Sequence, residues 1–495
     1  MKIRVANKKL AILLCCVVTA VTVSGCQYSS FDEYLETLGL KDSYQNENVT
    51  SDESTFIISE DSLTATDGYT SIYQNDNSSE KKSLDGESVS TDVYPSAEGE
   101  FEEYESVSET VDIEGADNVY AGSYKNLTED ELNSEMKEAR EAAGLTDSNI
   151  ALLKSQQEGL YAYERLTNSG KNLYVEILAI IQNMAENVLV STTSDEAIDL
   201  VFDYVMADHP ELFYVDGYKY TNYTLGGVIT KIGFSGAYTM TSQEVESNQQ
   251  LINQAVSECL AGAPSSEDEY YAIKYIYEYL IKNTEYDMNA ENNQNICSVF
   301  IGGKSVCNGY SKAAQYLLNK LGINCTLVTG TVNTKKATGV RHAWNLVKCN
   351  DAYYYFDVTW GDSSYQTNNG ESADATRLPE VNYDYLNVTT DEISSNHFIS
   401  DEIDMPICNS LKDNYYVRED EYFTSSELPL IGELFERRYR DGSANVVIKC
   451  ATDDIYNVFF EQLITQRKVF DYLQGDTSTV SYTTFADTNT IIFWL

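Results

Sequence analysis

Three residues within a stretch of about fifty positions have side chains that could act together in catalysis. They are Cys307 with its thiol, His342 with its imidazole and Asp357 with its carboxylate. Cys307 follows the glycine-containing stretch 302–306 and opens a helical pattern, in which apolar residues recur every three or four positions until Gly322 ends it. A thiol in the first turn of a helix faces the positive end of the helix dipole, which favours the thiolate. The pattern therefore indicates a cysteine nucleophile.

Three strand-like runs follow this helix, and the last two place the imidazole beside the carboxylate. The runs are Cys325–Val332, His342–Lys348 and Ala352–Thr359. If Asn350-Asp351 is a two-residue hairpin turn, Trp344 lies opposite Asp357. Because side chains alternate along a strand, His342 and Trp344 then share a face with Tyr355 and Asp357. The carboxylate would hold the imidazole in one tautomer, with its other nitrogen toward the thiol.

Three sequence blocks around these residues resemble the motif blocks of the transglutaminase-like superfamily. They are GKSVCNGY at 303–310, RHAWN at 341–345 and FDVTW at 356–360. The resemblance extends over roughly residues 286–397. It implies a papain-like fold in which the Cys, His and Asp of these blocks form a catalytic triad. The family includes transglutaminases, cysteine peptidases, peptide:N-glycanases and inactive members, so the resemblance specifies the nucleophile better than the substrate.

The same blocks contain residues that we expect to support the site. Trp344 and Trp360 would wall the site and exclude water, although aromatic residues on a core sheet serve equally as packing. Asn345, together with Asn308 and Tyr310, is predicted to stabilise the site without taking part in the chemistry.

A second oxyanion donor is expected upstream of the nucleophile. Members of the family often use a polar side chain there, beside the backbone N–H of the cysteine. Gln294 and Asn295 both remain candidates in this chain. Such a donor would lower the barrier by about 3–4 kcal/mol.

The N-terminus has the organisation of an export signal. Residues 1–9 contain four basic side chains, 10–23 are an apolar run, and Val23-Ser24-Gly25-Cys26 resembles a bacterial lipobox. Residues 1–26 are thus predicted to be a lipoprotein signal peptide, with Cys26 as the diacylated first residue of an extracellular protein held at the cell membrane. The alternatives are an ordinary signal peptide and an uncleaved anchor.

Residues 27–125 are predicted to form a disordered acidic tether. They contain 24 acidic and 4 basic residues and many Ser, Thr and Asn. Such a composition buries too little apolar surface to offset the chain entropy, and its like charges extend it. The formal net charge of the whole chain, −45, also argues against nucleic acid as a partner.

The remaining sequence predicts three ordered regions and an α+β fold. Residues 126–264 read as a helical region with one β-hairpin around Gly226-Gly227. Residues 265–405 form the transglutaminase-like core, in which the helix that bears the cysteine packs on an antiparallel sheet. Residues 411–495 alternate short helices and strands, which predicts a small α+β module.

The cysteines and histidines indicate no metal or cofactor. Seven cysteines remain after the leader and Cys26 are set aside: Cys259, Cys297, Cys307, Cys325, Cys349, Cys408 and Cys450. Their spacing fits no zinc pattern, and no loop has the ligand spacing of a calcium site. His209 and His397 are predicted to be structural. A disulfide between Cys325 and Cys349 is a hypothesis that follows from the expected strand pairing.

The sequence thus predicts a membrane-anchored, extracellular cysteine acyl-transfer enzyme. It would act on carboxamide or peptide bonds of proteins or peptides, as a transglutaminase or as a cysteine peptidase or amidase. The alternative is a transglutaminase-like module that binds protein or glycan without catalysis. A third possibility is an adhesive stalk, in which the acidic region carries the function.

Overall fold

The structure is a computed structural model that describes residues 55–59, 127, 132, 134–225, 228–334, 337–362, 378–475 and 478–495. The predicted leader, Cys26, the turn at Gly226-Gly227 and the predicted tether apart from 55–59 lie outside these residues. Within them, no helix is long and apolar enough to span a membrane.

The N-terminal region packs helices against a three-stranded sheet of order β2-β4-β3. Its elements are α1 (Ser134–Ala142), α2 (Asp147–Gln157), α3 (Tyr161–Glu164), α4 (Asn168–Gln182), β2 (Val188–Val190), α5 (Asp195–Asp208), β3 (Val215–Leu225), β4 (Val228–Tyr238) and α6 (Ser242–Ala261). Several helices begin at capping residues; for example, Thr241 and Glu244 form a capping box at the start of α6. The predicted hairpin is present as β3 and β4.

The central region carries the nucleophile helix on an antiparallel sheet of order β10-β7-β8-β9. Its elements are α7 (Glu269–Asn283), β5 (Glu285–Tyr286), α8 (Ile296–Phe300), β6 (Lys304–Ser305), α9 (Cys307–Lys320), β7 (Cys325–Val332), β8 (Val340–Cys349), β9 (Ala352–Phe356), α10 (Val358–Gly361), α11 (Thr390–Ile393) and β10 (His397–Ile399). A short 3₁₀ turn, Tyr383–Tyr385, precedes α11. This arrangement confirms the predicted fold class.

The C-terminal region is built on a five-stranded sheet of order β1-β13-β14-β12-β11. Its elements are α12 (Tyr415–Arg418), β11 (Tyr422–Phe423), α13 (Leu428–Arg440), β12 (Asn445–Cys450), α14 (Asp453–Phe459), β13 (Thr479–Phe485) and β14 (Thr490–Trp494). The edge strand β1 is Thr55–Ser59, which pairs antiparallel with β13. This strand departs from the predicted tether, because Phe56, Ile57 and Ile58 form a short apolar run with high strand propensity.

Two large hydrophobic cores organise the described residues of these regions. One is continuous from Ala143 in the N-terminal region to Tyr416, and so joins the N-terminal region to the central region. Buried polar contacts connect the same two regions: Gln315 on α9 donates through Nε2 to the carbonyl of Ala207 at 2.6 Å. The other core lies inside the C-terminal region. The N-terminal helices are therefore packed as part of the body that holds α9.

Regular elements end at residues whose backbone conformation stops them. Helices α2 and α3 are separated at Gly159, which has a φ of +90°. The helical stretch that follows α14 is interrupted before Arg467, which has a φ of 58°. The strand predicted at Ala352–Thr359 ends at Phe356, because Asp357 begins a helix.

The hypothesis of a disulfide between Cys325 and Cys349 is wrong. The register of β7 and β8 places Cys325 opposite Val347, two residues short of Cys349. Both thiols are free and buried. In the structure they are core side chains.

Candidate active site

Cys307 is the first residue of helix α9 and is partly exposed. Val306, which precedes the helix, provides no capping side chain. No side chain of the cap residue therefore accepts a hydrogen bond from the first backbone N–H groups of α9. The other six cysteines that the structure describes are buried. Burial raises the pKa of those thiols, to about 12 for Cys259, Cys297, Cys408 and Cys450. Cys307 is therefore the described thiol that both reaches solvent and lies at a helix N-terminus.

The hairpin of β8 and β9 brings His342 to Asp357 as the sequence predicts. Cys349 lies opposite Ala352 and Asn345 opposite Phe356, so the same register continued by one residue aligns Trp344 with Asp357. The Nε2 atom of His342 lies 2.5 Å from Oδ2 of Asp357. Cys307 lies close enough to His342 to raise the pKa of its imidazole. Because Nε2 is engaged by Asp357, Nδ1 is the nitrogen left to face the thiol.

Asp357 is completely buried, and its carboxylate accepts four hydrogen bonds. Oδ1 caps helix α10 by accepting from the backbone N–H groups of Thr359 at 2.8 Å and Trp360 at 3.1 Å. Oδ2 faces the Nε2 atoms of His342 and His397. The helix cap fixes one oxygen, and the other is thereby held toward the imidazoles.

The electrostatics of the pair favour an ionised site. Burial alone would raise the pKa of the Asp357 carboxyl, but the charge and hydrogen bond of His342, with the hydrogen bond of His397, hold that pKa well below its usual range. Burial alone would lower the pKa of His342, but Asp357 and Cys307 raise it to about 10. At neutral pH the site therefore holds a carboxylate next to an imidazolium, with Cys307 close to that imidazolium.

The site contains a second histidine that the sequence predicts only as structural. His397 on β10 is 1% exposed, and its Nε2 lies 3.0 Å from Oδ2 of Asp357. Its ring centroid is 5.5 Å from that of His342. Forty residues separate His397 from Asp357. No periodicity or motif spacing connects them, because the contact depends on how β10 pairs with β7.

The predicted supporting residues hold the elements together around His342. Trp344 is fully buried and stacks on the His342 ring, with centroids 5.9 Å apart. Trp360 is partly exposed and meets His342 edge-on at 6.2 Å. Asn345, fully buried, donates to the carbonyls of Ser311 at 3.0 Å and Thr326 at 3.4 Å, which ties β8 to α9 and β7. Trp344 thus packs beneath the imidazole, whereas Trp360 borders the open side.

The structure separates the two candidate oxyanion donors. Asn295 caps helix α8 by accepting from the N–H of Cys297 at 2.9 Å. Gln294 lies beside the nucleophile helix, where its Oε1 accepts from Nδ2 of Asn308 at 2.6 Å. Its Nε2 donates to Asn293 at 3.0 Å, which leaves a second N–H on the same nitrogen. Gln294 is therefore the candidate next to Cys307.

The two histidines and Asp357 also form a group with the composition of a metal site. One ligand atom from each of His342, Asp357 and His397 lies within 4.8 Å of the others. The two Nε2 atoms already share hydrogen bonds with the carboxylate. An ion would have to displace both N–H protons, so hydrogen bonding accounts for the cluster.

Comparison with known proteins finds a similarity in the central region. Residues 258–358 match the family model of the transglutaminase-like superfamily, which confirms the resemblance drawn from the motif blocks. The match contains Cys307, His342 and Asp357 and ends before His397. This part of the chain is thus similar to the core of the transglutaminase-like superfamily. No curated protein matches the sequence.

Three solved structures are similar to part of the chain. A TGase is 19% identical, with 28% of this chain and 43% of that chain covered and a TM-score of 0.21. A candidate cysteine protease from Cytophaga hutchinsonii is 13% identical, with coverage of 28% and 61% and a TM-score of 0.19. A candidate protease from Parabacteroides distasonis is 10% identical, with coverage of 30% and 37% and a TM-score of 0.18. The chain spans less than two thirds of each of these relatives.

Proposed function

We propose that this protein is an extracellular cysteine acyl-transfer enzyme that acts on carboxamide or peptide bonds of proteins or peptides. The observation that supports it most directly is the placement of His342, which is held by the buried carboxylate of Asp357 and lies close enough to Cys307 for the thiol to raise the pKa of its imidazole. A partly exposed thiol, a buried base and a buried orienting acid are the parts that an activated cysteine nucleophile requires.

In the first half of the reaction, the Cys307 thiolate attacks the carbonyl carbon of the substrate. A C–S bond forms, and the carbonyl electrons move to oxygen. The His342 imidazolium then gives its proton to the leaving nitrogen, so that the C–N bond breaks and an amine or ammonia departs. Asp357 keeps His342 in the orientation that aims its proton at this nitrogen.

In the second half, water or an amine attacks the acyl-thioester. His342 accepts the proton of the attacking group, and the C–S bond breaks to return the thiolate and the imidazolium. Water as the acceptor yields a carboxylic acid, whereas an amine yields a new amide. The oxyanion of both steps would be bound by the backbone N–H of Cys307, at the uncapped start of α9, and by the side chain of Gln294.

Replacement of Cys307 tests the proposal. The full-length protein and its Cys307→Ala variant would be incubated with a glutamine-containing protein and a fluorescent primary amine. We expect incorporation of the amine, or cleavage of the protein, only with the wild-type thiol. Incorporated label establishes transamidation, and fragments without label establish peptidase activity.

The matched control is Cys259→Ala, which removes a fully buried thiol on α6. It should retain the wild-type product. Equal behaviour of wild type and Cys307→Ala over a panel of carboxamide and peptide substrates would contradict catalysis and favour a binding module.

We also propose that the enzyme is held at the cell membrane by a lipid on Cys26. The support is the order of basic, apolar and lipobox-like segments in residues 1–26. Cys26→Ala should abolish incorporation of a radiolabelled fatty acid, whereas Cys15→Ala should not. Continued labelling of Cys26→Ala would exclude this residue as the attachment site.

A further inference from the structure

Asp357 accepts a hydrogen bond from an imidazole that the proposed mechanism does not use. His397 lies on β10, and β7 separates this strand from β8, which bears His342. On β7, Gly330 lies opposite His342 of β8, and Val332 lies opposite His397 of β10. A Cβ at Gly330 would lie 2.8 Å from the Trp344 ring and 2.1 Å from the carbonyl oxygen of Phe398. Glycine at this position therefore permits the close packing that brings β10 to the site.

The charge balance of the site requires His397 to be neutral. The titratable groups that face it among the described residues are Asp357, His342 and Tyr385. His342 already supplies the positive charge that Asp357 needs, so a second buried imidazolium would be uncompensated. Burial accordingly lowers the pKa of His397. A neutral ring that faces a carboxylate through Nε2 must carry its proton on Nε2.

The other ring nitrogen faces the side-chain amide of Asn396. As placed, Oδ1 of Asn396 lies within hydrogen-bond distance of Nδ1 of His397, and Nδ2 of Asn396 donates to the hydroxyl of Tyr385 at 3.0 Å. The Nε2–H tautomer of His397 requires the flipped amide, in which Nδ2 donates to Nδ1 and Oδ1 accepts from the Tyr385 hydroxyl, an exchange that leaves the shape of the side chain unchanged. All three side chains are buried. The ring is therefore held from both ends.

We propose that His397 is a positioning residue for Asp357: its Nε2–H binds one lone pair of Oδ2 and so directs the remaining lone pair at His342. This inference rests on the proposed function, because it assigns His397 to the same Cys307–His342–Asp357 arrangement. The backbone N–H groups of Thr359 and Trp360 already fix Oδ1. With His397 bound, rotation of the carboxylate away from His342 would break three hydrogen bonds in addition to that of His342.

Two substitutions of His397 separate its hydrogen bond from its ring. His397→Phe keeps an aromatic ring against Trp344 and Trp360, whose centroids lie 5.0 and 4.8 Å away, but has no donor. His397→Gln lacks the ring but can place an amide N–H near the position of Nε2. We expect His397→Phe to lower kcat by roughly 10- to 100-fold with little change in KM, a part of what general acid–base catalysis contributes. His397→Gln should recover most of that loss.

A second readout needs no substrate. The rate at which iodoacetamide alkylates Cys307 would be followed by mass spectrometry at about pH 6, where an ordinary thiol reacts slowly. His397→Phe should alkylate more slowly than wild type, and His397→Gln should alkylate at nearly the wild-type rate. His209→Phe is the matched control, because His209 is another buried histidine whose side chain contacts Glu211. It should leave the rate unchanged.

A measurement on the wild-type protein covers the case in which His397→Phe does not fold. The chain has only three histidines, so ¹⁵N-histidine labelling of the full-length protein gives few imidazole signals. We expect His397 to be the neutral Nε2–H tautomer and His342 to be doubly protonated. A Nδ1–H tautomer for His397 would overturn the inference.

The other outcomes are equally decisive. Wild-type kinetics and alkylation in folded His397→Phe, or equal losses in the Phe and Gln variants, would mean that the donor does not matter. The absence of any Cys307-dependent product is a separate result, which contradicts the proposed function. The alkylation rates and the tautomer still test the position of His397 in that case.

Discussion

Replacing Asp357 by Asn is expected to lower kcat/KM by about 10³- to 10⁴-fold, the size of effect seen when an orienting acid is made neutral. The Asn side chain can still accept the N–H groups of Thr359 and Trp360 through its oxygen. Its N–H₂ group would then face the Nε2 atoms of His342 and His397. His342 would have to lose its Nε2 proton and keep the proton on Nδ1, toward Cys307, and could not act as a base in that tautomer.

The same change should destabilise the fold. Asp357 and His397 are buried, so an imidazole N–H left facing an amide N–H₂ loses its acceptor without gaining water. We expect a loss of about 1–3 kcal/mol for each buried group left unsatisfied. Urea unfolding would measure it, with Asp351→Asn in the exposed hairpin turn as the control. Wild-type kcat/KM in a folded Asp357→Asn protein would show that the carboxylate does not orient His342.

The stability difference between wild type and Asp357→Asn should depend on pH in a defined way. The folded-state pKa of Asp357 lies below its unfolded value of about 3.9, so its contribution is present above that pH and is lost as the pH falls. The pKa of His342 is raised to about 10, so its contribution is present below its unfolded value of about 6.5 and is lost as the pH rises. The difference should be largest between about pH 4 and 6.5 and should shrink toward pH 10.

The parts of the site that the sequence predicts are those that local structure determines. The helix that starts at Cys307 follows from its apolar period and from the glycine at 322, which has a φ of +82°. The contact of His342 with Asp357 follows from a two-residue turn, because a hairpin register is fixed by its loop. Both are encoded within a few dozen residues.

The contacts that the sequence does not predict depend on packing between distant elements. His397 reaches Asp357 only because β10 pairs with β7 across a long connection. Gln294 and Asn295 are adjacent in sequence, and a sequence pattern does not distinguish them. In the structure Asn295 caps helix α8, whereas Gln294 accepts a hydrogen bond from Asn308. The C-terminal region likewise gives no sign in its sequence of how it is attached to the core.

That attachment includes a buried ion pair, Asp384 in the turn before α11 and Lys449 on β12. Nζ of Lys449 lies 3.4 Å from Oδ1 of Asp384 and donates to the carbonyl of Thr488 at 2.6 Å. The hydroxyls of Thr488 and Thr490 donate to the two carboxylate oxygens at 2.6 and 2.7 Å. A buried ion pair and its hydrogen bonds therefore join the C-terminal sheet to the central region.

The turn that contains Asp384 also contacts the candidate active site. The N–H of Asp384 donates to the side chain of Asn382, and the hydroxyl of Tyr277 donates to the carbonyls of both Asn382 and Asp357. Tyr385, the next residue, contacts Asn396 beside His397. The C-terminal region is thus joined to a turn that contacts the carbonyl of Asp357 through Tyr277 and the side chain of Asn396 beside His397.

Asp384→Ala should therefore cost about 3–5 kcal/mol in the free energy of unfolding, because it leaves the Lys449 ammonium buried without its partner. Lys449→Met should cost less, since the two threonine hydroxyls still satisfy Asp384. In the double variant the uncompensated charge is gone, so its loss should be smaller than that of Asp384→Ala alone. Urea titrations of the four proteins would measure this coupling. Additive losses would mean that Asp384 and Lys449 stabilise the junction independently, and that hydrogen bonds rather than paired charge hold the C-terminal region against the turn before α11.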